Sequence, residues 1–98
     1  MYRTSDGEEL FIVDGHTHFW DAAPANQRNI HGKQFIDCFY AYHSALSPEQ
    51  EVWPKEKFEK YDAETMVRDL FVDGPVDVAI IQPTYLKEFY IEGFNTTE

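Results

Sequence analysis

His16-Thr17-His18 closes an apolar run, Leu10-Phe11-Ile12-Val13-Asp14-Gly15. On a β-strand alternate side chains share a face. Asp14, His16 and His18 therefore point one way, and Gly15 and Thr17 the other. The two imidazoles stand one strand repeat apart, about 6–7 Å along the backbone, within reach of a single metal ion. Imidazole nitrogens suit zinc, and an added carboxylate leaves manganese open. Asp14 has two readings. It fixes a ligand histidine by accepting its second ring proton, or it is a carboxylate bonded to backbone groups or to a cation inside the fold.

The elements that position this pair can be read from pattern. Residues 9–14 read as a strand buried on both faces, as in parallel sheets covered by helices. Residues 19–61 show no clean period. They carry many aromatic residues and are interrupted by Pro24, Gly32, Pro48 and Pro54. A short helix is expected within residues 36–43. A helix start is expected at Ser47-Pro48-Glu49-Gln50. A long aromatic insertion in this position reads as an irregular cover over a substrate site.

Residues 62–73 read as a helix. Asp62 is its N-cap, Gly74 and Pro75 its stop, and Met66, Val67, Leu70 and Phe71 its core face. Residues 76–82 form the next strand. Strand, helix and strand imply a parallel βαβ unit with a right-handed crossover. Residues 84–94 read as a second aromatic loop. Asn95-Thr96-Thr97-Glu98 has the capping-box pattern of another helix, which implies more chain beyond it.

Other polar and aromatic residues have competing readings. Trp20, two residues past His18, could wall a substrate pocket or fill the core. Gln82 and Tyr85, past the second strand, could orient a substrate by hydrogen bonding or serve the fold. His31 and His43 fall in the insertion and read as loop histidines, not ligands. Arg28 could hold a substrate carboxylate, but a surface arginine is the plainer reading. Cys38 reads as a small buried hydrophobe.

The chain has 98 residues, enough for one small domain, with 18 acids against 8 bases and a net charge of −10. Such a surface repels nucleic acid and anionic membranes. A single cysteine allows no intrachain disulfide, and the N-terminus has no apolar signal core. A cytoplasmic protein without a membrane span is expected.

Ile12-Val13-Asp14-Gly15-His16-Thr17-His18-Phe19, a long loop, a helix and Val76-Asp77-Val78-Ala79-Ile80-Ile81-Gln82-Pro83 together resemble the amidohydrolase-related metal-dependent hydrolases. That group includes aminocarboxymuconate-semialdehyde and resorcylate-type decarboxylases, and lactonases. The resemblance implies an α/β fold: residues 1–98 would be the N-terminal βαβ portion of a distorted (β/α)8 TIM barrel, incomplete in this chain. It implies that His16 and His18 bind a divalent metal, zinc or manganese. It implies a small-molecule substrate, either an amide, ester or lactone for hydrolysis or a carboxylate for non-oxidative decarboxylation. The later-strand ligands of the family, a further His and an Asp, have no counterpart here. The rest of the barrel, or a partner chain in an oligomer, is expected to supply them. A reading of another class is a non-catalytic or half-site subunit that docks on a partner. The blandest reading is an independent α/β domain with an incidental His-x-His.

Overall fold

The apolar run that starts at Leu10 does not stay in one strand. In the computed structural model, which describes residues 1–95, Tyr2–Arg3 (β1) pairs antiparallel with Glu9–Leu10 (β2). Gly7, at φ +87°, makes the turn between them. The chain then leaves this hairpin, and Val13–Thr17 (β3) pairs in parallel with Val78–Ile81. The strand expected at 9–14 is thus two strands, broken at Phe11-Ile12.

Ile12 anchors the new start. Its N–H donates to Asp77 Oδ2 at 2.8 Å, and its carbonyl accepts from the N–H groups of Asp77 and Val78. That backbone bond, and then the N-terminal ammonium at 3.1 Å, hold the Asp77 carboxyl below its usual range. Nor is this strand buried on both faces. Val13 is 52 % exposed and Ile80 52 %, with Val78 close behind. Paired residues in a parallel ladder point the same way, so these three form one bare apolar face. A two-stranded sheet has too few neighbours to cover it.

The insertion is more regular than its composition suggests. Trp20–Asp21 (β4) pairs antiparallel with Lys60–Tyr61. Between them run a 3-10 turn at Pro24–Asn26, a 17-residue helix Ile30–Leu46 (α1), a 3-10 turn at Glu49–Glu51 and a short helix Lys55–Glu59 (α2). The short helix expected within 36–43 is the middle of α1. Asn29 caps α1 by accepting from His31 N–H at 3.0 Å. The helix start expected at Ser47 is instead the end of α1. The ion pair Lys55–Asp37 ties α2 to α1, Lys33–Asp37 lies within α1, and both ammonium groups hold the Asp37 carboxyl low.

After Lys60–Tyr61 (β5), Asp62 caps Ala63–Val67 (α3), with its carboxylate accepting from Thr65 N–H at 2.9 Å. The helix does not continue as α. Arg68–Asp73 is wound as a π-helix, ending at Gly74. A Cβ on Gly74 would lie 2.7 Å from the Asp69 carbonyl, which explains a glycine there. The wider turn rotates the expected apolar stripe. Met66 is buried and Leu70 half-buried, but Phe71 in this turn and Val67 at the end of α3 are exposed, so they are not core residues here. Val78–Ile81 (β6) completes a mixed α/β chain.

The core forms away from the parallel sheet. Ala22, Ile36 and Tyr90 are its buried centre, ringed by Trp20, Phe35, Phe58, Leu86, Phe89 and Phe94. The insertion therefore packs on the loop after β6. Asn26, itself buried, stitches the two together. Its Nδ2 donates to the carbonyls of Asp21 and Gly93, and its Oδ1 accepts from Glu92 N–H. Arg28 donates to the Lys87 and Ile91 carbonyls, so it clamps this loop and is not placed for a substrate. The radius of gyration is 15.8 Å, against about 13 Å for a compact domain of this length. Exposed Leu10, Phe11, Val72 and Ile91 belong to the same open arrangement.

A Cβ on Gly32 would sit 2.6 Å from the Phe89 carbonyl oxygen. Gly32→Ala is expected to cost about 1–3 kcal/mol in urea unfolding, although alanine normally favours a helix. Exposed Ser44→Ala on the same helix is expected to be neutral or stabilising; equal gains at both sites would contradict the close approach. Burial, and then the charge of Asp37, push the Tyr90 phenol up to about 12. The folded state thus keeps a proton that the unfolded chain loses near pH 10 or so. This contribution is complete below that pH and is lost as pH rises towards the folded value. The urea midpoint is expected to fall over this interval, and to fall less in Tyr90→Phe.

Candidate metal centre and adjoining cavity

The histidine pair owes its geometry to an irregularity in the ladder between β3 and β6. Val13 pairs with Val78 and Asp14 with Ala79, but the next pair is Thr17 with Ile81. Three steps on β3 answer two on β6, which is a bulge. A bulge strands backbone groups that a regular ladder would pair. Here the Gln82 side chain takes them. Its Oε1 accepts from Thr17 N–H at 3.0 Å, and its Nε2 donates to the Gly15 carbonyl at 2.9 Å. A carboxamide carries the same donor and acceptor as a peptide unit, so Gln82 stands in for the missing residue of β6. Thr17 turns inward and donates from Oγ1 to the Ile80 carbonyl. His16 stays exposed and His18 half-buried.

The two imidazoles converge. His16 Nε2 and His18 Nε2 are 2.9 Å apart, with ring planes at 71°. His18 Nδ1 lies 2.9 Å from the Gln82 carbonyl oxygen. The same Nδ1 also lies 3.2 Å from Asn95 Nδ2, a donor. The carbonyl contact is the shorter, and a carbonyl oxygen only accepts; with the proton on Nδ1, Nε2 presents a lone pair. That leaves one position between the two Nε2 atoms, filled by a single proton or by a cation. Nitrogens about 2.0–2.1 Å from one ion and this far apart subtend about 90° there, whereas a tetrahedral ion holds them about 3.3–3.4 Å apart. The pair fits a five- or six-coordinate ion directly, and tetrahedral zinc after a small opening of the rings. A carbonyl that fixes the far ring nitrogen is the usual support of a ligand histidine.

Asp14 does not take that supporting role. Its Oδ1 accepts from His16 N–H at 3.1 Å and reaches neither ring. It sets the backbone of the bulge. Among the described residues no group of three or more His, Cys, Asp or Glu side chains is arranged for a metal. His31 bonds Gln34 at the start of α1. His43 accepts from Trp53 N–H at Nε2, faces the Ser47 hydroxyl with Nδ1 and stacks on Phe58. Both lie on a helix, not in loops, and His43 is a packing residue. Cys38 is exposed on the same helix, not buried.

A cavity of about 240 Å³ opens beside His18. Trp20, Phe35, Ile36, Phe39, Phe58 and Phe94 form its apolar wall. His18, Thr84 and Asn95 form its polar end. Trp20 Nε1 is held by the Phe58 carbonyl at 2.6 Å, so the indole presents a fixed face. Asn95 is buried; its Oδ1 accepts from Thr84 N–H and its Nδ2 lies 3.2 Å from His18 Nδ1. Its sequence reading was a helix cap; the rest of that capping box lies outside the described residues.

Of the residues singled out from sequence, His16, His18 and Trp20 come together. Gln82 is adjacent, but both ends of its amide are engaged with β3, so it does not orient a ligand through that group. Tyr85 is 48 % exposed and does not line the cavity. Asn95 and the aromatic face of α1 were not foreseen as parts of the site. No family model, no curated protein and no solved structure matches this chain.

The bulge generates a direct test. Gln82→Glu keeps an acceptor for Thr17 N–H but sets a carboxylate oxygen against the Gly15 carbonyl. It is expected to lower stability by about 1–3 kcal/mol and to shift the ring resonances of both His16 and His18. Unchanged imidazole signals in a folded variant would show that Gln82 does not set the pair.

Proposed function

We propose that this chain contributes the first-strand metal ligands of an enzyme resembling the amidohydrolase-related hydrolases, with His16 and His18 as two nitrogen ligands of a divalent ion. The approach of the two Nε2 atoms to 2.9 Å, with His18 Nδ1 on a carbonyl, carries this reading. In it the parallel pair β3 and β6 is the opening βαβ portion of a (β/α)8 barrel, and the pair sits where barrel strands end and chemistry is done. Zinc or manganese is the ion. Catalytic zinc sites have three protein ligands as a rule, so further ligands come from elsewhere in the barrel or from a partner subunit.

When bound, such an ion polarises a carbonyl or lowers the pKa of a water molecule. The residues of this chain do the rest of the positioning. The Gln82 carbonyl keeps His18 in the tautomer that offers Nε2. The Gln82 amide and Asp14 hold the bulge that turns His16 towards it. Trp20 and its aromatic neighbours keep water from one side of the pair. The reaction is hydrolysis of an amide, ester or lactone, or the decarboxylation seen in the other branch of the resembling group. The substrate is a small molecule. No helix among the described residues is long and apolar enough to cross a membrane, and the net charge of −10 opposes nucleic-acid binding; a cytoplasmic location agrees with both.

A second reading rests on one observation. The bare face of Val13, Val78 and Ile80 suits a half-site subunit whose partner completes the sheet. The two readings share the histidine pair and differ in where the remaining strands come from.

Zinc and manganese titrations by calorimetry test the proposal. Binding is expected in the unaltered protein, with His16→Ala and His18→Ala each weakening it at least about 100-fold while circular dichroism stays the same. In the protein assembled with the strands or partner that supply the remaining ligands, turnover on amide, ester, lactone or carboxylate panels is expected to disappear with a chelator and return with metal. Equal metal affinity in the double variant would remove the pair from the site.

A further inference from the structure

The cavity beside His18 has a composition that selects its occupant. Its wall is six apolar side chains, four of them phenylalanines and one a tryptophan. None of the residues lining it is Asp, Glu, Lys or Arg. Its polar groups are confined to one end, at His18, Thr84 and Asn95. Of these, Asn95 Oδ1 is engaged with Thr84 N–H, and His18 Nδ1 faces both the Gln82 carbonyl and Asn95 Nδ2. A polyol or sugar ring would bury several hydroxyls against carbon, each without a partner, and each such loss is costly. A charged group would meet no counter-ion on the wall, and an anion would also face the net charge of −10.

Size and shape agree. An apolar cavity of about 150 Å³ holds benzene, so one of about 240 Å³ takes a substituted single ring or a compact bicycle. The wall is preorganised for an aromatic face. Trp20 and Phe94 are near-parallel at 13°, while Phe35 meets Phe94 edge-on at 80° with centroids 5.2 Å apart. Rings so fixed offer both a face and an edge to a guest ring. Phe39, 48 % exposed, packs on Phe35 at a tilt of 55° with centroids 4.9 Å apart, and adds an aromatic side chain open to solvent.

We propose that this cavity is the subsite for an uncharged aryl group of the substrate, whose reacting polar group extends from the His18 end towards the His16–His18 pair. The proposal rests on the functional reading above for the role of that pair, but the aryl subsite itself does not require a metal. The substrate class is therefore a small aryl or arylalkyl compound with its polar function at one end, not a sugar-like lactone or an aliphatic amino acid derivative.

The test uses benzyl alcohol and myo-inositol as probes on the whole protein in excess chelator, followed by the two indole N–H signals in ¹H–¹⁵N spectra. Benzyl alcohol is expected to bind at least about ten-fold more tightly than myo-inositol. It is expected to shift the Trp20 indole signal and to leave Trp53, which does not line the cavity, in place. Thr84→Phe, which projects a ring into the polar end, is expected to weaken benzyl alcohol at least about ten-fold in a protein of unchanged circular dichroism. Equal affinity for the two probes, or a response at Trp53 with none at Trp20, overturns the aryl subsite. A zinc titration on the same sample after removal of chelator reports on the histidine pair separately, so the two readings can fail independently.

Discussion

One carboxamide sets the geometry on which the site depends. The bulge in β3 leaves the Thr17 N–H and the Gly15 carbonyl without ladder partners, and the Gln82 side chain supplies both. The same residue's backbone carbonyl then accepts from His18 Nδ1 at 2.9 Å. Gln82 thus connects strand register to imidazole tautomer. Two residues apart, the histidine backbones stand about 6–7 Å from one another. Their side chains close that gap, and the Nε2 atoms meet at 2.9 Å. Stranded backbone groups carry a penalty of their own, which is why a bulge of this kind needs a side chain with a peptide's donor and acceptor.

The aromatic core supports the site from the other side. It is assembled from the insertion and the loop after β6, with the sheet at its edge. Tyr90 is fully buried, and its hydroxyl donates to the Gly32 carbonyl at 2.6 Å. That bond fastens the loop to α1. Trp20 reaches the same cluster and also borders His18, so packing in the insertion is transmitted to the cavity beside the histidine pair. The sheet face on the opposite side stays bare. Its apolar residues suit coverage by further strands and helices, as either functional reading requires.

Much of this was legible in the residues. The Asp62 cap, the Gly74 stop and the parallel partnership of the two apolar strands follow from local chemistry and periodicity. The long helix was also written in the chain, since Gly32, Phe35, Ile36, Phe39, Tyr40 and His43 repeat at helical spacing. Glycine within the helix and apolar residues on its exposed face, such as Tyr42 and Leu46, blurred that period. The π-turns were not legible, because nothing in composition distinguishes Arg68–Asp73 from an α-helical run. Nor was the role of Gln82. A glutamine after a strand reads as a rim residue until the register shows which backbone groups lack partners. The His-x-His pair follows from its types and spacing; the bulge beside it and the Gln82 carbonyl at His18 Nδ1 do not show in alternation alone.

The central claim is that His16 and His18 present paired Nε2 lone pairs to one ion while His18 keeps its proton on Nδ1. Long-range ¹H–¹⁵N spectra of protein loaded with ¹¹³Cd test it most directly. The account predicts cadmium coupling to Nε2 of both residues, with the His18 Nδ1 proton retained. Coupling to neither histidine, or coordination of His18 through Nδ1 with loss of its bond to Gln82, would contradict it.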